Sequence, residues 1–147
     1  MIYLACNGKY AGYIVIEDEV KADAPAAIRA LKEVGVRKRS CSGDADAVGK
    51  KVAQKLGLDQ AYTELLPADK VDRVEAMLKQ TSEKGKLVFV GDGINDAPVL
   101  ARADVGIAMG GLGSDAAIEA ADVVLMTDEP SKISAVVRIP EDDPHCK

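Results

Sequence analysis

The residues with the most chemistry to offer lie in Lys86–Leu100, KLVFVGDGINDAPVL. There Leu87, Val88, Phe89 and Val90 run straight into Gly91-Asp92-Gly93-Ile94-Asn95-Asp96. A short, unbroken apolar run predicts a strand buried on both faces of a parallel sheet covered by helices. Such sheets collect ligands at the carboxyl ends of their strands, where this run delivers Asp92 and Asp96. Gly91 and Gly93 permit a sharp reversal, so the two carboxylates could face one point in space. Paired hard-oxygen donors beside an open loop suit Mg²⁺ that keeps several waters and a phosphate oxygen. Asp and Asn beside Gly also start helices, so a simple cap explains the same residues as well.

Two further stretches hold complementary groups. Ser42 closes an expected strand, Val36 to Ser42, and offers a hydroxyl together with helix N-terminal amides, a suitable cradle for a phosphoryl oxygen. Lys70 follows Leu66-Pro67-Ala68-Asp69 at the start of a helix, where a cation gains nothing from the helix dipole. Hydroxyl, ammonium and paired carboxylates after successive strands are the parts of a Mg²⁺-dependent phosphoryl-transfer site.

The elements that must position these groups alternate between strand and helix. Ile2 to Ala5 and Tyr10 to Ile16 flank Asn7-Gly8-Lys9 as a β-hairpin. Asp23 caps a helix with Pro25 in its first turn and Ile28, Leu31 and Val34 on one face. In the Val36–Ser42 strand, Arg37, Lys38 and Arg39 are hard to bury. Ser42-Gly43-Asp44 opens a second helix carrying Val48, Val52 and Leu56, and Tyr62 to Leu66 is a short strand. Pro67 starts a third helix with Val71, Val74 and Leu78 as its apolar stripe. A helix over Asp96 to Ala103 and a strand over Val105 to Met109 follow. Ser114 then caps a helix through Ala120, Val123 to Met126 forms a strand, and a last helix runs from Glu129 to Val137. The pattern is that of an α/β domain with a mainly parallel sheet. The tail Pro140-Glu-Asp-Asp-Pro144-His-Cys-Lys147 reads as disordered, and His145 with Cys146 makes a weak metal site.

Composition bounds the alternatives. At 147 residues, 48% hydrophobic and 29% charged, the chain is one ordinary soluble domain. A net charge of −5, 3% aromatic residues and no Trp argue against a nucleic-acid partner. No apolar run reaches the roughly 18 residues of a membrane helix, and Met1 to Cys6 is too short for a secretory signal. Cys6, Cys41 and Cys146 are odd in number and far apart, as expected of reduced cytoplasmic thiols.

Taken together, Ser42-Gly43-Asp44, the Lys70 segment and Gly91-Asp-Gly-Ile-Asn-Asp-Ala-Pro98 resemble the haloacid-dehalogenase superfamily. More closely, residues 1–137 resemble the phosphorylation domain of P-type cation ATPases. Met109-Gly-Gly-Leu-Gly-Ser-Asp through Met126 looks like the heavy-metal branch, nearer zinc/cadmium than copper exporters. The resemblance implies Mg²⁺ held by Asp92 and Asp96, with ATP as the parent protein's cofactor. It places Ser42 (usually Thr), Gly43, Asp44, Lys70 and Asn95 on the phosphoryl side, with Lys70 neutralising its charge. Asp18, in Asp18-Glu-Val-Lys21, matches a D-x-x-[KR] element at a hinge, so residues 1–16 would end a nucleotide-binding domain. Residues 17–137 would be a partial phosphorylation domain. The chain itself is expected in the cytoplasm and its parent family in the membrane.

The departures are as informative. The family's nucleophile lies in a D-K-T-G-T motif that occurs nowhere in these residues. Without that Asp the covalent cycle cannot run. In this superfamily its strand sits at the sheet centre, between the strand ending at Ser42 and the one ending at Asp92. Its loss leaves two inner edges with unpaired backbone groups. Three outcomes are expected: direct pairing of those strands, insertion of Ile2–Ala5, or a strand supplied by another chain.

Three functions compete. The first is an ATPase fragment inactive alone, whose partner is the remainder of the parent transporter. The second is a binding module that docks a strand-supplying chain or self-associates. A stand-alone haloacid-dehalogenase-like phosphatase is a lesser variant. The third, a dinucleotide-binding oxidoreductase, rests on Gly111-Leu-Gly113-Ser-Asp-Ala116 as G-x-G-x-x-A, which lies too late in the chain to complete a βαβ unit.

Overall fold

The computed structural model describes residues 2–14, 19–91, 94–110 and 115–137. Asp18, Asp92, Gly111 to Ser114 and the His145–Cys146 pair lie outside them, as does the tail expected to be disordered. Strands and helices alternate as β1 (Ile2–Cys6), β2 (Lys9–Ile14), α1 (Ala24–Glu33), β3 (Arg39–Cys41), α2 (Asp46–Leu56), β4 (Gln60–Tyr62) and α3 (Pro67–Gln80). Then come β5 (Val88–Gly91), a 3-10 turn (Ile94–Asp96), α4 (Ala97–Leu100), β6 (Val105–Met109), α5 (Asp115–Ala120), β7 (Val123–Leu125) and α6 (Ser131–Val137). This is the expected α/β arrangement. No helix among the described residues is long and apolar enough to cross a membrane.

The parallel strands fall into two groups: β3 with β4, and β5-β6-β7 in that order. Between β3 and β5 no ladder forms among the described residues, so direct pairing of those strands is not what happens. Nor does Ile2–Ala5 enter the space. Asn7, at φ 51, and Gly8, at φ 74, close a tight turn that pairs β1 with β2. A local hairpin reaches its partner across two residues, which outcompetes a distant docking site.

The two parallel groups share one helix. Val74 and Met77 of α3, with Val99 of α4, form a buried cluster. Cys41 of β3, Tyr62 of β4 and Phe89 of β5 all pack against it. Phe89 also reaches a second cluster of Leu100, Ala108 and Ala117. The strand Leu87–Val90, expected to be buried on both faces, is only partly so, and Val88 is 42% exposed. A strand with a neighbour on one side alone cannot be enclosed as a central strand is.

Several boundaries move for physical reasons. The Val36–Ser42 strand contracts to Arg39–Cys41 because the chain ahead of it carries charge. Lys38 is nonetheless buried, with Nζ 3.1 Å from Asp59 Oδ2. The Tyr62–Leu66 strand sits earlier, at Gln60–Tyr62, because Glu64 adopts φ 56 and turns the chain. In α2 the inward face is Gly49 and Ala53, and Val48 is exposed. A Cβ at Gly49 would lie 2.3 Å from Thr63 Cγ2, so the helix lies too close to the following strand segment for a larger residue. Val34 is the C-cap of α1 and is likewise exposed. Asp23 does sit at the N-cap of α1, but its carboxylate accepts the Ser131 N–H of α6 instead of capping its own helix.

At the amino ends of the strands one device recurs. Asp59, Asp104 and Asp122 each stand just before a strand, and each accepts a backbone N–H from the neighbouring parallel strand. The donors are Lys38 at 2.7 Å, Leu87 at 2.8 Å and Gly106 at 2.8 Å. Such charge-assisted bonds fix register where the ladder begins.

Candidate functional site

The carboxyl ends of β3 and β5 carry the candidate groups. Pro67 opens α3, with its fixed φ suited to a first turn, and the Asp69 carboxylate accepts the Leu66 N–H at 2.9 Å. The helix then buries Val74 and Met77, which holds Lys70 on the side facing the end of β5. Its Nζ donates to Asp96 Oδ1 at 2.9 Å. The two side chains are 17% and 13% exposed, so this is a partly buried ion pair between residues far apart in sequence. The pair unites two of the residues singled out from sequence.

Asp96 gets there by a close approach at Gly91. An ideal Cβ on Gly91 would lie 2.7 Å from Asp96 Cβ and 2.9 Å from its Oδ2. Only a residue without a side chain lets the strand end and the carboxylate occupy adjacent space. Asn95 is exposed beside Asp96 in the 3-10 turn, and Asp92 lies outside the described residues.

Ser42, Gly43 and Asp44 follow β3 in a loop stitched to residues 62–65. The Ser42 N–H donates to the Tyr62 carbonyl, the Leu65 N–H to the Ser42 carbonyl, and the Glu64 N–H to the Asp44 carbonyl. The Ser42 hydroxyl accepts the Asp44 N–H at 2.9 Å and donates to the Asp44 carboxylate. That local turn delays α2 until Asp46, so the hydroxyl is held by its own loop rather than by a helix start. Gly43 again marks a close approach, its ideal Cβ 3.3 Å from the Leu65 carbonyl oxygen.

Cys41 ties this loop to the ion pair and is the residue that sequence reasoning passed over. Half-buried, its thiol is pushed up by burial, while Lys70, Arg73 and Arg39 pull it down as nearby positive charges and Asp96 pushes it up. The end of β3 therefore lies within electrostatic reach of both Lys70 and Asp96. The one signal for it in the sequence was its position directly before Ser42. Arg73, a turn beyond Lys70, stacks its guanidinium 4.3 Å from the centre of the Tyr62 ring.

The donor set at Asp96 is hard oxygen at a strand's carboxyl end, which fits Mg²⁺ by chemistry. Among the described residues no cluster of three or more metal-ligating side chains forms.

The parallel α/β scaffold, with lysine and aspartate paired at a strand's carboxyl end, is that of a hydrolase family. The chain belongs to the haloacid dehalogenase-like hydrolases, whose family model matches residues 2–104. Within that family it is similar to heavy-metal P-type ATPases. It is 60% identical over 140 residues to the zinc-transporting ATPase of Synechocystis sp., covering 95% of this chain and 19% of that protein. It is 54% identical to the cadmium, zinc and cobalt-transporting ATPase of Bacillus subtilis, covering 95% of this chain and 20% of that protein. Among solved structures, a zinc-transporting PIB-type ATPase in the E2.Pi state superposes with a TM-score of 0.76 at 37% identity, over 89% of this chain and 21% of that one. The chain thus spans about a fifth of the length of the curated relatives it matches.

Proposed function

We propose that this chain is the magnesium and phosphate half-site of the phosphorylation domain of a zinc/cadmium-type P-type ATPase, working at the cytoplasmic face of the membrane. The observation that carries this reading is the partly buried Lys70–Asp96 pair at the carboxyl end of β5. Asp96 with Asp92 would hold Mg²⁺, which supplies Lewis-acid stabilisation of charge on a phosphoryl group. Lys70 offsets charge on a phosphoryl oxygen, and Ser42, with Gly43 and Asp44 shaping its loop, orients that group. Asn95 lines the approach, and ATP is the phosphoryl source in the parent protein. The D-K-T-G-T nucleophile is not among these residues, so the chain alone turns over no ATP. A steady-state ATPase assay of the pure chain should match an Asp92→Asn/Asp96→Asn control. Mg²⁺-dependent turnover lost in that control would point instead to a stand-alone phosphatase.

The split between β3 and β5 favours a second role beside the first, that of a complementing module. Both strands pack under the same helix, and among the described residues each has a parallel ladder partner on one side only. An apolar strand ending in a carboxylate would pair with both edges and deliver its acid beside Lys70. Mixing the chain with a polypeptide that carries the D-K-T-G-T half should yield a co-eluting complex on size exclusion. Independent elution at micromolar concentration, with no gain of phosphorylation, would rule this role out.

A further inference from the structure

Lys70 is itself a cation seated on the carboxylate that a metal would need. Its Nζ lies 2.9 Å from Asp96 Oδ1, while Oδ2 lies 2.9 Å from where a Cβ on Gly91 would be. Nothing in α3 favours an ammonium in its opening turns, where the helix dipole repels it. Asp96 therefore holds Lys70 in place. The surroundings add to the positive side, since Arg39 and Arg73 act on the adjoining Cys41 thiol in the same sense as Lys70. A divalent ion arriving alone must displace the ammonium and enter against these charges. A phosphate oxygen offers Lys70 another partner and offsets the arginines.

Building on the reading of Asp96 as a metal ligand, we propose that Lys70 is the resident counter-cation of Asp96 and makes divalent-cation binding conditional on a phosphate oxygen. The ammonium moves from Oδ1 to the anion, and the carboxylate is released to the metal. Linkage then requires that metal tighten phosphate binding by the same factor that phosphate tightens metal binding.

The test is Mn²⁺ titration of the full chain, read by calorimetry and by the electron paramagnetic resonance of free Mn²⁺, with and without inorganic phosphate. In the unmodified chain, phosphate should tighten Mn²⁺ at least about fivefold. Lys70→Met should bind Mn²⁺ without phosphate at least about fivefold more tightly than the unmodified chain, with little further gain from phosphate. Lys70→Gln should behave as Lys70→Met does, which guards against a folding defect in either variant, and Lys70→Arg should keep the dependence on phosphate. Asp96→Asn should abolish Mn²⁺ binding throughout. If Asp96→Asn abolishes binding yet neither neutral Lys70 variant tightens it, the counter-cation proposal fails while the metal reading stands. Mn²⁺ binding that is absent, or indifferent to Asp96→Asn, overturns the metal reading and this proposal with it.

Discussion

Among the described residues, two lysine–aspartate pairs with a largely buried lysine lie at opposite ends of the strands. Lys38–Asp59 lies at the amino end, with Nζ 3.1 Å from Oδ2 and the lysine side chain 5% exposed. Lys70–Asp96 lies at the carboxyl end at 2.9 Å. In the first pair every group has a structural employer. Asp59 accepts the Lys38 backbone N–H as well as its ammonium, and that ammonium also donates to the Val36 carbonyl at 3.3 Å. The Asp59 carboxyl is accordingly held below its usual range, first by that backbone bond and then by the Lys38 side chain. The same bond recurs at Asp122, and at Asp104, which also pairs with Lys86 at 3.6 Å, so it belongs to strand registration. The second pair repeats no such pattern. It joins α3 to the turn after β5, depends on a missing Cβ at Gly91, and leans on the end of β3 through Cys41. The distances are similar, but the Asp59 side chain is 46% exposed where that of Asp96 is 13% exposed. What sets the two pairs apart is the place in the fold and the other bonds the partners hold.

Breaking the two pairs should expose this contrast most strongly in chemistry. In a complex with a nucleophile-bearing half, Lys70→Met or Asp96→Asn should lower phosphoryl transfer by about 10²-fold or more, as removal of one charge-stabilising group does. Lys38→Met should leave it within a factor of about two, because surface-distant packing changes leave the site's charges alone. Rates of acyl-phosphate formation in the mixed complex would decide this, and equal losses from both pairs would erase the distinction.

Stability should show the reverse sharing. Gly91→Ala forces a Cβ into the Asp96 side chain and should cost about 1–3 kcal/mol in urea unfolding. The penalty should shrink in a Gly91→Ala/Asp96→Gly double variant, since the Asp96 side chain from its Cβ outward causes it, and a fully additive pair would refute that origin. Gly49→Ala, 2.3 Å from Thr63 Cγ2, should cost a similar amount wherever Asp96 is left intact or removed.

At the amino end, Asp59→Ala should lower the urea midpoint, because it strands a buried ammonium. Lys38→Met/Asp59→Ala should recover part of that loss, because it removes the buried ammonium left without its partner. Failure of the double variant to recover would mean that the backbone bond to Lys38 N–H matters more than the ion pair.

The smallest effect is one of pH. Asp59, Asp23 and Asp46 all have carboxyls held below their ordinary value of 3.8: Asp59 by Lys38, Asp23 by the Ser131 N–H, and Asp46 by Lys50 and Thr63. A carboxyl with a lowered folded value binds its proton more readily in the unfolded chain. Its stabilising contribution is therefore full above the unfolded value and is lost as pH falls through the folded one. Thermal midpoints should fall below about pH 4, and Asp59→Asn should flatten part of that slope.

Much of the arrangement was legible in the residues because it is local. The hairpin follows from Asn7-Gly8, α3 from Pro67 and the Val71/Val74 spacing, and β6 from the apolar run at Val105. The convergence of Lys70 on Asp96 was legible only through motif order and resemblance, since periodicity places each on its own element and says nothing of the partner. Val48 and Val34 were misplaced because a helical stripe can rotate by one residue. Which face turns inward was decided by Gly49 meeting Thr63 and by the chain reversing after Glu33. The burial of Lys38 ran against its charge, and only Asp59, from across the strand pair, makes it tolerable.

By itself, then, the sequence determined the alternation of strands and helices, the aspartate in the turn beyond a strand's carboxyl end, and the family to which the chain belongs. Those properties reside in residue types and short spacings. Tertiary structure alone decided that β3 and β5 remain apart under a shared helix, and that Gly91 yields its side-chain space to Asp96. It also decided that Lys70 pairs with the Asp96 carboxylate. Each of these is a contact between segments distant along the chain, set by which surfaces can be enclosed together and which backbone edges find a partner.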